Sequence, residues 1–467
     1  MVLAWIYVNF GLKILVPGLV VLGVFALMLF FRDVKTPFFY LLVLLLPVFI
    51  ARYLAPMPDV EHPGLLDVPV LYAYEIPLYL FVFFWFLEAV AKKGTAFFWP
   101  RTAGAMALLF VPAVISTATG LAPSYGVFEI IRMFEMLLFF LVVVNYLKTD
   151  RQLKIVIILL GLDILLQSLL SVLQFFWPYK MYDILASFGI YMGISHARPY
   201  DPTSPIRACG TTGYCNSLAG FFELTVPLFV SLVFFYPMSA KLKRYCIVII
   251  GLAIVALFLT YSRGGLMAII VAVVALLILA ARRFPRLGRH AAKVVLAVSA
   301  QLAVVVALLG ERLLMRINFF METMEDDVRI ALIRNAFEMI KAKPLFGVGL
   351  NNFPEAFPIY EITGLEFDLL FPVHNTWLLV AAEQGLLGLA VFLLFLGFVY
   401  LDGRRAIRDP SPLKAAVALG LGAGLVGWFA HNMVAPLYQN WLINRTTFVF
   451  VIAVLAVLPR LREEERG

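Results

Sequence analysis

The chain has 467 residues, of which 63% are hydrophobic and 14% are charged, and its formal net charge is +8. This balance excludes a soluble globular domain, and apolar runs without polar alternation argue against a transmembrane β-barrel. The positive charge does not indicate nucleic-acid binding, because Lys and Arg cluster in short connections between apolar runs. The composition therefore predicts an all-α fold, a polytopic bundle of transmembrane helices in a lipid bilayer.

Thirteen apolar stretches approach the length of about 20 residues that crosses a bilayer. The first has no small-residue cleavage site after it, so it is interpreted as a retained helix and not as a signal peptide. Because residues 1–13 can lie in the interface or extend the first helix, twelve to fourteen spans are predicted. The stretches are 14–31, 37–55, 69–91, 102–120, 124–146, 155–177, 216–237, 246–260, 264–281, 292–310, 375–400, 415–432 and 442–459.

Charge sorts the connections between these spans into two classes. Every second connection is rich in Lys and Arg, and these connections are predicted to face the cytoplasm. Residues 1–310 are predicted to hold membrane helices with short loops and an external connection at 178–215. Residues 311–374 are too long for a simple connector and are predicted to form a partly helical external subdomain. Residues 375–467 hold three closing helices and a basic cytoplasmic tail.

Two cysteines, Cys209 and Cys215, lie in the external connection, and Cys246 begins a later span. No CxxC or His/Cys ligand spacing is present, so a zinc site is not predicted. A small disulfide loop is one alternative if this connection faces an oxidising compartment. Two free thiols at a helix end is the favoured interpretation.

Two arginines stand out in short external segments. Arg207 lies in SPIRACGTTGYCNSLAGFF, where glycines and a helix N-terminus favour anions. The hydroxyls there are interpreted as turn and cap residues, with Asn216 or Ser217 as the cap, while anion binding and a structural role stay open for Arg207. Arg263 lies in the tight turn TYSRGG at a membrane boundary. It can extend to lipid phosphate, or it can face the bundle and hold a phosphate group, and spacing leaves both open.

A helix at about 328–341 is predicted within the long external segment, with Asp326 or Asp327 as its cap. Arg329 and Arg334 are five residues apart, so at about 3.6 residues per turn they point to different sides. Glu338 follows Arg334 by four residues, the spacing of an ordinary surface ion pair. Arg329 is therefore the better functional candidate, and Arg334 is secondary.

His374 lies where the long polar segment meets the next apolar span. A lone histidine at a helix end is commonly a cap, but this one follows a large external segment. Its ordinary pKa lets imidazole take a proton from a hydroxyl, and arginines on the same side can stabilise a leaving diphosphate. His431, at another external helix end, is a secondary candidate because no subdomain precedes it.

Several charged residues lie inside the predicted spans. Glu129, Arg132 and Glu135 are three residues apart, so Arg132 can pair with either glutamate. This trio is interpreted as structural rather than as a proton path. The other charged residues within spans are Glu75, Asp163, Glu223 and Glu383.

The order of these segments resembles the bacterial O-antigen ligase and O-antigen polymerase superfamily. The matching pieces run from Arg207 to Leu458: the glycine-rich stretch at 207–219, TYSRGG, VRIALIRNAFEMIKAKPLFGVGLNNF, and HNTWLLVAAEQGLLG before three closing spans. Tyr214 and Cys215 depart from the pair that many relatives carry before the asparagine.

The resemblance implies an inverting, metal-independent glycosyltransferase of the inner membrane, without a cofactor, whose active site faces the periplasm. Its donor would be a polyprenyl-diphosphate-linked glycan. Its acceptor would be lipid A–core oligosaccharide in a ligase or another lipid-linked glycan in a polymerase. His374 would be the general base, and Arg263 and Arg329, joined by Arg207, would hold the diphosphate.

Two hypotheses from other classes stay open at the level of sequence. A transporter or flippase for an anionic lipid-linked solute would need ionisable groups near the bilayer midplane, and only the trio around Arg132 favours it. A structural scaffold for a polysaccharide assembly would use the external segment as a docking surface.

Overall fold

The computed structural model describes residues 33–53, 70–92, 97–187, 206–284, 325–362, 371–440 and 442–462. Within these ranges the chain is a helical bundle with one short β ribbon, and eight helices are long and apolar enough to cross a membrane. The predicted all-α, multi-pass fold is therefore confirmed. The predicted spans at 14–31 and 292–310 lie outside the described residues.

The described helices and strands follow one another in chain order. The first half comprises α1 Lys35–Leu44, β1 Ala51–Tyr53, β2 Val70–Tyr72, α2 Glu75–Ala91, α3 Arg101–Leu108, α4 Phe110–Thr119, α5 Pro123–Tyr146, α6 Asp150–Phe176 and α7 Pro178–Ser187. The second half comprises α8 Cys215–Phe235, α9 Ala240–Leu259, α10 Arg263–Arg283, α11 Glu325–Ala342, α12 Phe353–Tyr360, α13 Thr376–Ile407, α14 Pro412–His431, α15 Leu437–Asn440 and α16 Leu442–Val457.

Hydroxyl and amide side chains mark where several of these helices begin. Thr149 and Gln152 form a reciprocal capping box at the start of α6. Ser239, Ser262 and Asn375 accept backbone N–H groups at the starts of α9, α10 and α13. The apolar runs that follow these caps then bury part of their side chains in the bundle.

The predicted span at 37–55 is wrong as a single helix. Helix α1 ends at Leu44, and Ala51–Tyr53 pairs antiparallel with Val70–Tyr72. Proline at position 47 cannot donate a helical hydrogen bond, and the Phe49 N–H donates instead to the Thr211 carbonyl at 2.8 Å. The same ribbon occupies the start of the predicted 69–91 span, whose helix begins only at Glu75.

Helix α14 lies at the centre of the bundle because its glycines allow two neighbours to approach. A Cβ at Gly420 would lie 2.4 Å from the Leu228 Cα of α8. A Cβ at Gly427 would lie 2.4 Å from the Ala268 carbonyl of α10. Small residues at a helix interface let backbones pack closely inside a membrane, where there is no hydrophobic force between helices. Helices α8, α14 and α10 therefore form one tightly packed layer.

The charged trio of α5 is divided between two partners on other helices. Arg132 donates to Glu135 at 2.7 Å and also binds Glu75 of α2, while its guanidinium lies over the Tyr72 ring. Glu129 instead accepts from Arg445 of α16 at 2.5 Å. The prediction that Arg132 can pair with either glutamate of its own helix is confirmed for Glu135, while Glu129 has a partner on another helix.

Helix α13 is interrupted at Gly385, whose φ of 67° lies in the left-handed region. The carbonyls of Ala382 and Glu383 accept from the N–H groups of Val348 and Gly349, at 2.9 and 3.1 Å. After the interruption, the Leu386 N–H donates to the Pro344 carbonyl at 2.8 Å. The segment 344–349 therefore satisfies the backbone groups that the break in α13 leaves without helical partners.

Replacing Gly385 with alanine is expected to destabilise the protein. The new Cβ would lie 2.3 Å from the Leu345 backbone, and alanine is strained at this φ. We expect a loss of about 2–4 kcal/mol, seen as a lower Tm of the purified protein in detergent. Gly397→Ala is the control on the same helix, because a Cβ there meets nothing within 4 Å. Equal Tm values for the two variants would contradict the conclusion that the interruption of α13 at Gly385 requires glycine for stability.

Candidate active site

His374 lies immediately before the cap of α13, and its side chain is partly buried. Its Nδ1 atom is buried and has no hydrogen-bond partner among the described residues. Burial, followed by the charge of Arg329, lowers the pKa of His374 to about 4, and a backbone hydrogen bond at Pro372 opposes this shift. The imidazole is therefore neutral at physiological pH and can accept a proton.

The segment that carries His374 is bonded to the end of α14. Asn375 donates to the Met433 carbonyl at 3.1 Å, and the Thr376 hydroxyl donates to the Asn432 side chain at 2.8 Å. The Thr376 N–H also donates to the Asn432 carbonyl at 2.9 Å. Because His431 directly precedes Asn432, the two predicted histidines belong to neighbouring segments at one end of the bundle.

Helix α11 brings Arg329 to the same place. Its apolar face, which includes Leu332, Ala336 and Met339, packs in one buried cluster with Leu379 and Ala382 of α13. Arg329 is half-buried, and its charge acts on His374, whereas Arg334 is exposed on the other side of the helix. The two arginines thus face different environments, as their spacing predicted.

Two details of the predicted α11 are wrong. The helix begins at Glu325, so Asp326 and Asp327 lie within it and neither residue is its cap. Glu338 pairs with Lys341 at 2.6 Å, and the predicted pair with Arg334 is not the one that forms. The second correction arises because helical spacing gives Glu338 several neighbours, and side-chain reach selects among them.

Arg263 is the first residue of α10, directly after a constrained turn. Tyr261 has a positive φ of 51°, and the Ser262 hydroxyl accepts from the Gly265 N–H at 3.2 Å. Gly264 packs against the ring of His431, and Gly265 packs against Ala219 of α8. The half-buried Arg263 therefore begins a helix whose first turn rests on α8 and α14.

Arg207 is bonded to the turn that carries Arg263. Its Nε donates to the Thr260 carbonyl at 2.7 Å, and its guanidinium donates to the Asn216 side chain at 2.8 Å. Asn216 is therefore a partner of Arg207, and the predicted Asn216 or Ser217 cap is wrong because α8 begins at Cys215 without a side-chain cap. The arrangement gives Arg207 a structural role in supporting the 260–263 turn.

The connection that holds Arg207 is closed by a disulfide between Cys209 and Cys215, so the favoured interpretation of two free thiols is wrong. Two buried glutamines of α6 hold the same connection. The Gln174 side chain accepts from the Gly210 N–H at 2.8 Å, and the Gln167 side chain accepts from the Thr211 N–H at 2.9 Å. Sequence spacing offers no signal for these contacts, because α6 is more than 30 residues away along the chain.

His431 forms a buried pair with Glu223 of α8. The distance from His431 Nδ1 to Glu223 Oε1 is 2.7 Å, and the two side chains are 2% and 0% exposed. Sequence reasoning named both residues, but their separation of 208 positions hides the contact. Their only sequence signal is that each is ionisable within an apolar helix.

The structure thus brings five of the predicted site residues to one end of the bundle. Arg207 and Arg263 share the turn at Thr260, and Gly264 contacts His431. His431 is followed by Asn432, which holds the segment of His374, and Arg329 acts on that histidine. Arg334 is exposed and stands apart. Within the described ranges, no group of three His, Cys, Asp or Glu residues is arranged to hold a metal ion.

Several residues at this end of the bundle lie in a region that matches a known protein family. Residues 246–393 match the family model described as O-antigen ligase, and the matched region contains Arg263, Arg329 and His374. The match confirms the resemblance to the O-antigen ligase and polymerase superfamily and supports, in general terms, a membrane glycosyltransferase. A search of curated proteins found no match.

Proposed function

We propose that the protein transfers a glycan from a polyprenyl-diphosphate carrier to an acceptor hydroxyl at the periplasmic face of the inner membrane. The observation that carries this proposal is the proximity of a neutral, partly buried imidazole, His374, to a cationic side chain, Arg329, within the region matched to O-antigen ligases. The alternating basic connections support the orientation, because they assign the opposite end of the bundle to the cytoplasm.

In the proposed reaction, His374 accepts the proton of the acceptor hydroxyl as its oxygen attacks the anomeric carbon from the face opposite the diphosphate. The bond from that carbon to the diphosphate oxygen breaks, and the configuration inverts. Polyprenyl diphosphate leaves with the electron pair of the broken bond. Arg263 and Arg329 stabilise its negative charge, and Arg207 supports the turn of Arg263.

The proposed acceptor is lipid A–core oligosaccharide, as in a ligase. A repeat-unit polymerase uses the same donor and base and differs only in its acceptor. Glycan profiling of a deletion strain distinguishes the two. Polymer that stays on the carrier and is lost from lipid A–core indicates a ligase, whereas accumulation of single repeat units indicates a polymerase.

The experiment that tests the proposed chemistry uses the purified protein in proteoliposomes, with a polyprenyl-diphosphate-linked glycan and lipid A–core as substrates. The expected result is a covalent glycan–acceptor product together with an equal amount of released polyprenyl diphosphate. Movement of the donor across the bilayer without covalent transfer would contradict the proposal and favour a flippase.

The pH dependence of transfer follows from the electrostatics of His374. Because its pKa is lowered to about 4 from the ordinary 6.5, the imidazole is already neutral above about pH 4. We expect kcat/KM to fall only as the pH drops through about 4. Arg329→Gln removes one cause of the lowered His374 pKa. The acidic limb of the pH profile of kcat/KM should therefore move to higher pH, even if the maximum rate also falls.

The control for this pH profile is Arg334→Gln on the same helix. Arg334 is exposed, so its replacement should leave the acidic limb unchanged. The measurement is kcat/KM between about pH 3.5 and 8 for the three proteins. A wild-type limb near the ordinary value of 6.5, or equal shifts in both variants, would contradict the assigned electrostatics.

A further inference from the structure

The buried pair of Glu223 and His431 has no part in the proposed reaction. Its imidazole Nδ1 and carboxylate Oε1 are 2.7 Å apart, and the side chains are 2% and 0% exposed. A carboxylate bonded to Nδ1 fixes the orientation of an imidazole ring and its remaining nitrogen. Such a pair costs free energy to bury in an apolar bundle, so its location calls for a specific explanation.

The first turn of α10 rests directly on this pair. A Cβ at Gly264 would lie 2.4 Å from both Cδ2 and Nε2 of His431. A Cβ at Gly265 would lie 3.2 Å from Glu223 Oε1 and 2.7 Å from the Ala219 Cβ. The backbone that follows Arg263 therefore lies against the imidazole on one side and near the carboxylate on the other.

The pair also lies next to the segment of His374. Asn432 follows His431, and its side-chain oxygen accepts from the Thr376 hydroxyl at 2.8 Å and from the Tyr438 N–H at 3.0 Å. The orientation of the α14 end is thus fixed by Glu223 within the bundle and by Asn432 at the boundary. The Glu223–His431 pair therefore lies between the turn that carries Arg263 and the segment that carries His374.

Burial decides what the pair can do. At 2% exposure the His431 ring cannot reach an acceptor hydroxyl or a lipid diphosphate, whereas His374 and Arg263 are partly exposed. We propose that the Glu223–His431 pair positions Arg263 for binding the donor diphosphate by fixing the first turn of α10. This inference rests on the proposed function, in which Arg263 holds the diphosphate.

The test measures binding of farnesyl diphosphate, a soluble polyprenyl diphosphate, to the purified full-length protein in detergent. Glu223→Ala is expected to raise Kd about tenfold. Glu223→Gln keeps a side-chain oxygen for the imidazole and is expected to stay within about twofold of wild type. Ser231→Ala is the matched control, because Ser231 donates to the Ala416 carbonyl at 2.7 Å and so also joins α8 to α14, away from Arg263.

The decisive comparison is made in the Arg263→Ala background. If the pair acts through Arg263, the double variant Glu223→Ala/Arg263→Ala should bind farnesyl diphosphate no more weakly than Arg263→Ala alone. A further loss of about tenfold in that background would overturn the proposal. Should Glu223→Ala fail to fold, Gly264→Ala replaces it, because its Cβ must displace the His431 ring without removing an ionisable group.

The proposed function and the positioning role fail in different ways. A wild-type protein that transfers glycan while Glu223→Ala binds farnesyl diphosphate as tightly as wild type refutes the positioning role alone. A protein whose binding depends on Glu223 and Arg263, but which forms no glycan product, refutes the transferase activity and leaves the positioning role intact.

Discussion

Replacing His374 with alanine is expected to abolish glycosyl transfer. The side chain is the only group to which we assign the acceptor proton, and general base catalysis contributes about 10²–10⁴-fold to rate. The assay is formation of glycan–acceptor product in proteoliposomes under single-turnover conditions. Binding of farnesyl diphosphate should be unchanged or slightly tighter, since the variant keeps Arg263 and Arg329 and loses no anion-binding group.

Two controls separate a catalytic loss from a folding defect. His374→Gln keeps side-chain polarity at the start of α13 but cannot accept a proton, so it should be as inactive as the alanine variant. Asn375→Ala removes the cap that accepts from the Leu378 N–H and the bond to Met433, so it should lower Tm by a few degrees and retain most of the activity. Activity of His374→Ala near that of wild type would exclude the imidazole as the base.

Replacing Arg445 with alanine is expected to give the largest loss of stability. Its guanidinium donates to Glu129 at 2.5 Å and to the Tyr438 carbonyl at 2.7 Å, and it is 4% exposed. Removing one partner leaves a buried carboxylate without its counter-charge, which costs about 3–5 kcal/mol. The measurement is Tm and recovery of folded protein in detergent.

The comparison variants for Arg445 test whether burial of the ion pair causes the loss of stability. Glu129→Leu combined with Arg445→Met removes both charges at similar volume and should restore much of the lost stability, because replacing a whole buried pair is often nearly neutral. Lys341→Ala breaks the exposed pair with Glu338, in which Lys341 is 69% exposed, and should change stability by less than about 1 kcal/mol. A similar loss of stability for Lys341→Ala and Arg445→Ala would contradict the explanation that burial makes the Glu129–Arg445 pair costly to break.

The pairing of Glu129 with Arg445 also bears on the flippase hypothesis. That hypothesis depended on the ionisable trio of α5, and in the structure these residues form fixed pairs within α5 and with residues of α2 and α16. Paired charges between helices that pack closely are typical of structural contacts in membrane bundles. These residues therefore give more support to a static scaffold for the site than to alternating access.

Three outcomes of the sequence predictions share one physical cause, which is that a residue outside the helix concerned supplied the partner. The span at 37–55 was interrupted because Phe49 bonds to Thr211, across the bundle. Asn216 or Ser217 was expected to cap α8, but α8 has no side-chain cap and Asn216 accepts from Arg207. Arg132 was expected to pair with either Glu129 or Glu135; it pairs with Glu135, whereas Glu129 binds a residue 316 positions away. Hydrophobic periodicity indicates the secondary structure that a segment prefers and carries no information about partners outside that segment.

The sequence by itself determined the all-α membrane fold, most helix boundaries and the types of residue that can take part in the chemistry. Apolar length and charge asymmetry are local properties, so one chain is enough to infer them. Only the tertiary structure decided which of those residues meet. It placed Arg329 beside His374, set the turn of Arg263 on the Glu223–His431 pair, and left Arg334 exposed. Close approach of α8, α10 and α14 through small residues set the turn of Arg263, and packing of α11 against α13 placed Arg329. Both depend on packing between helices, which the local sequence does not report.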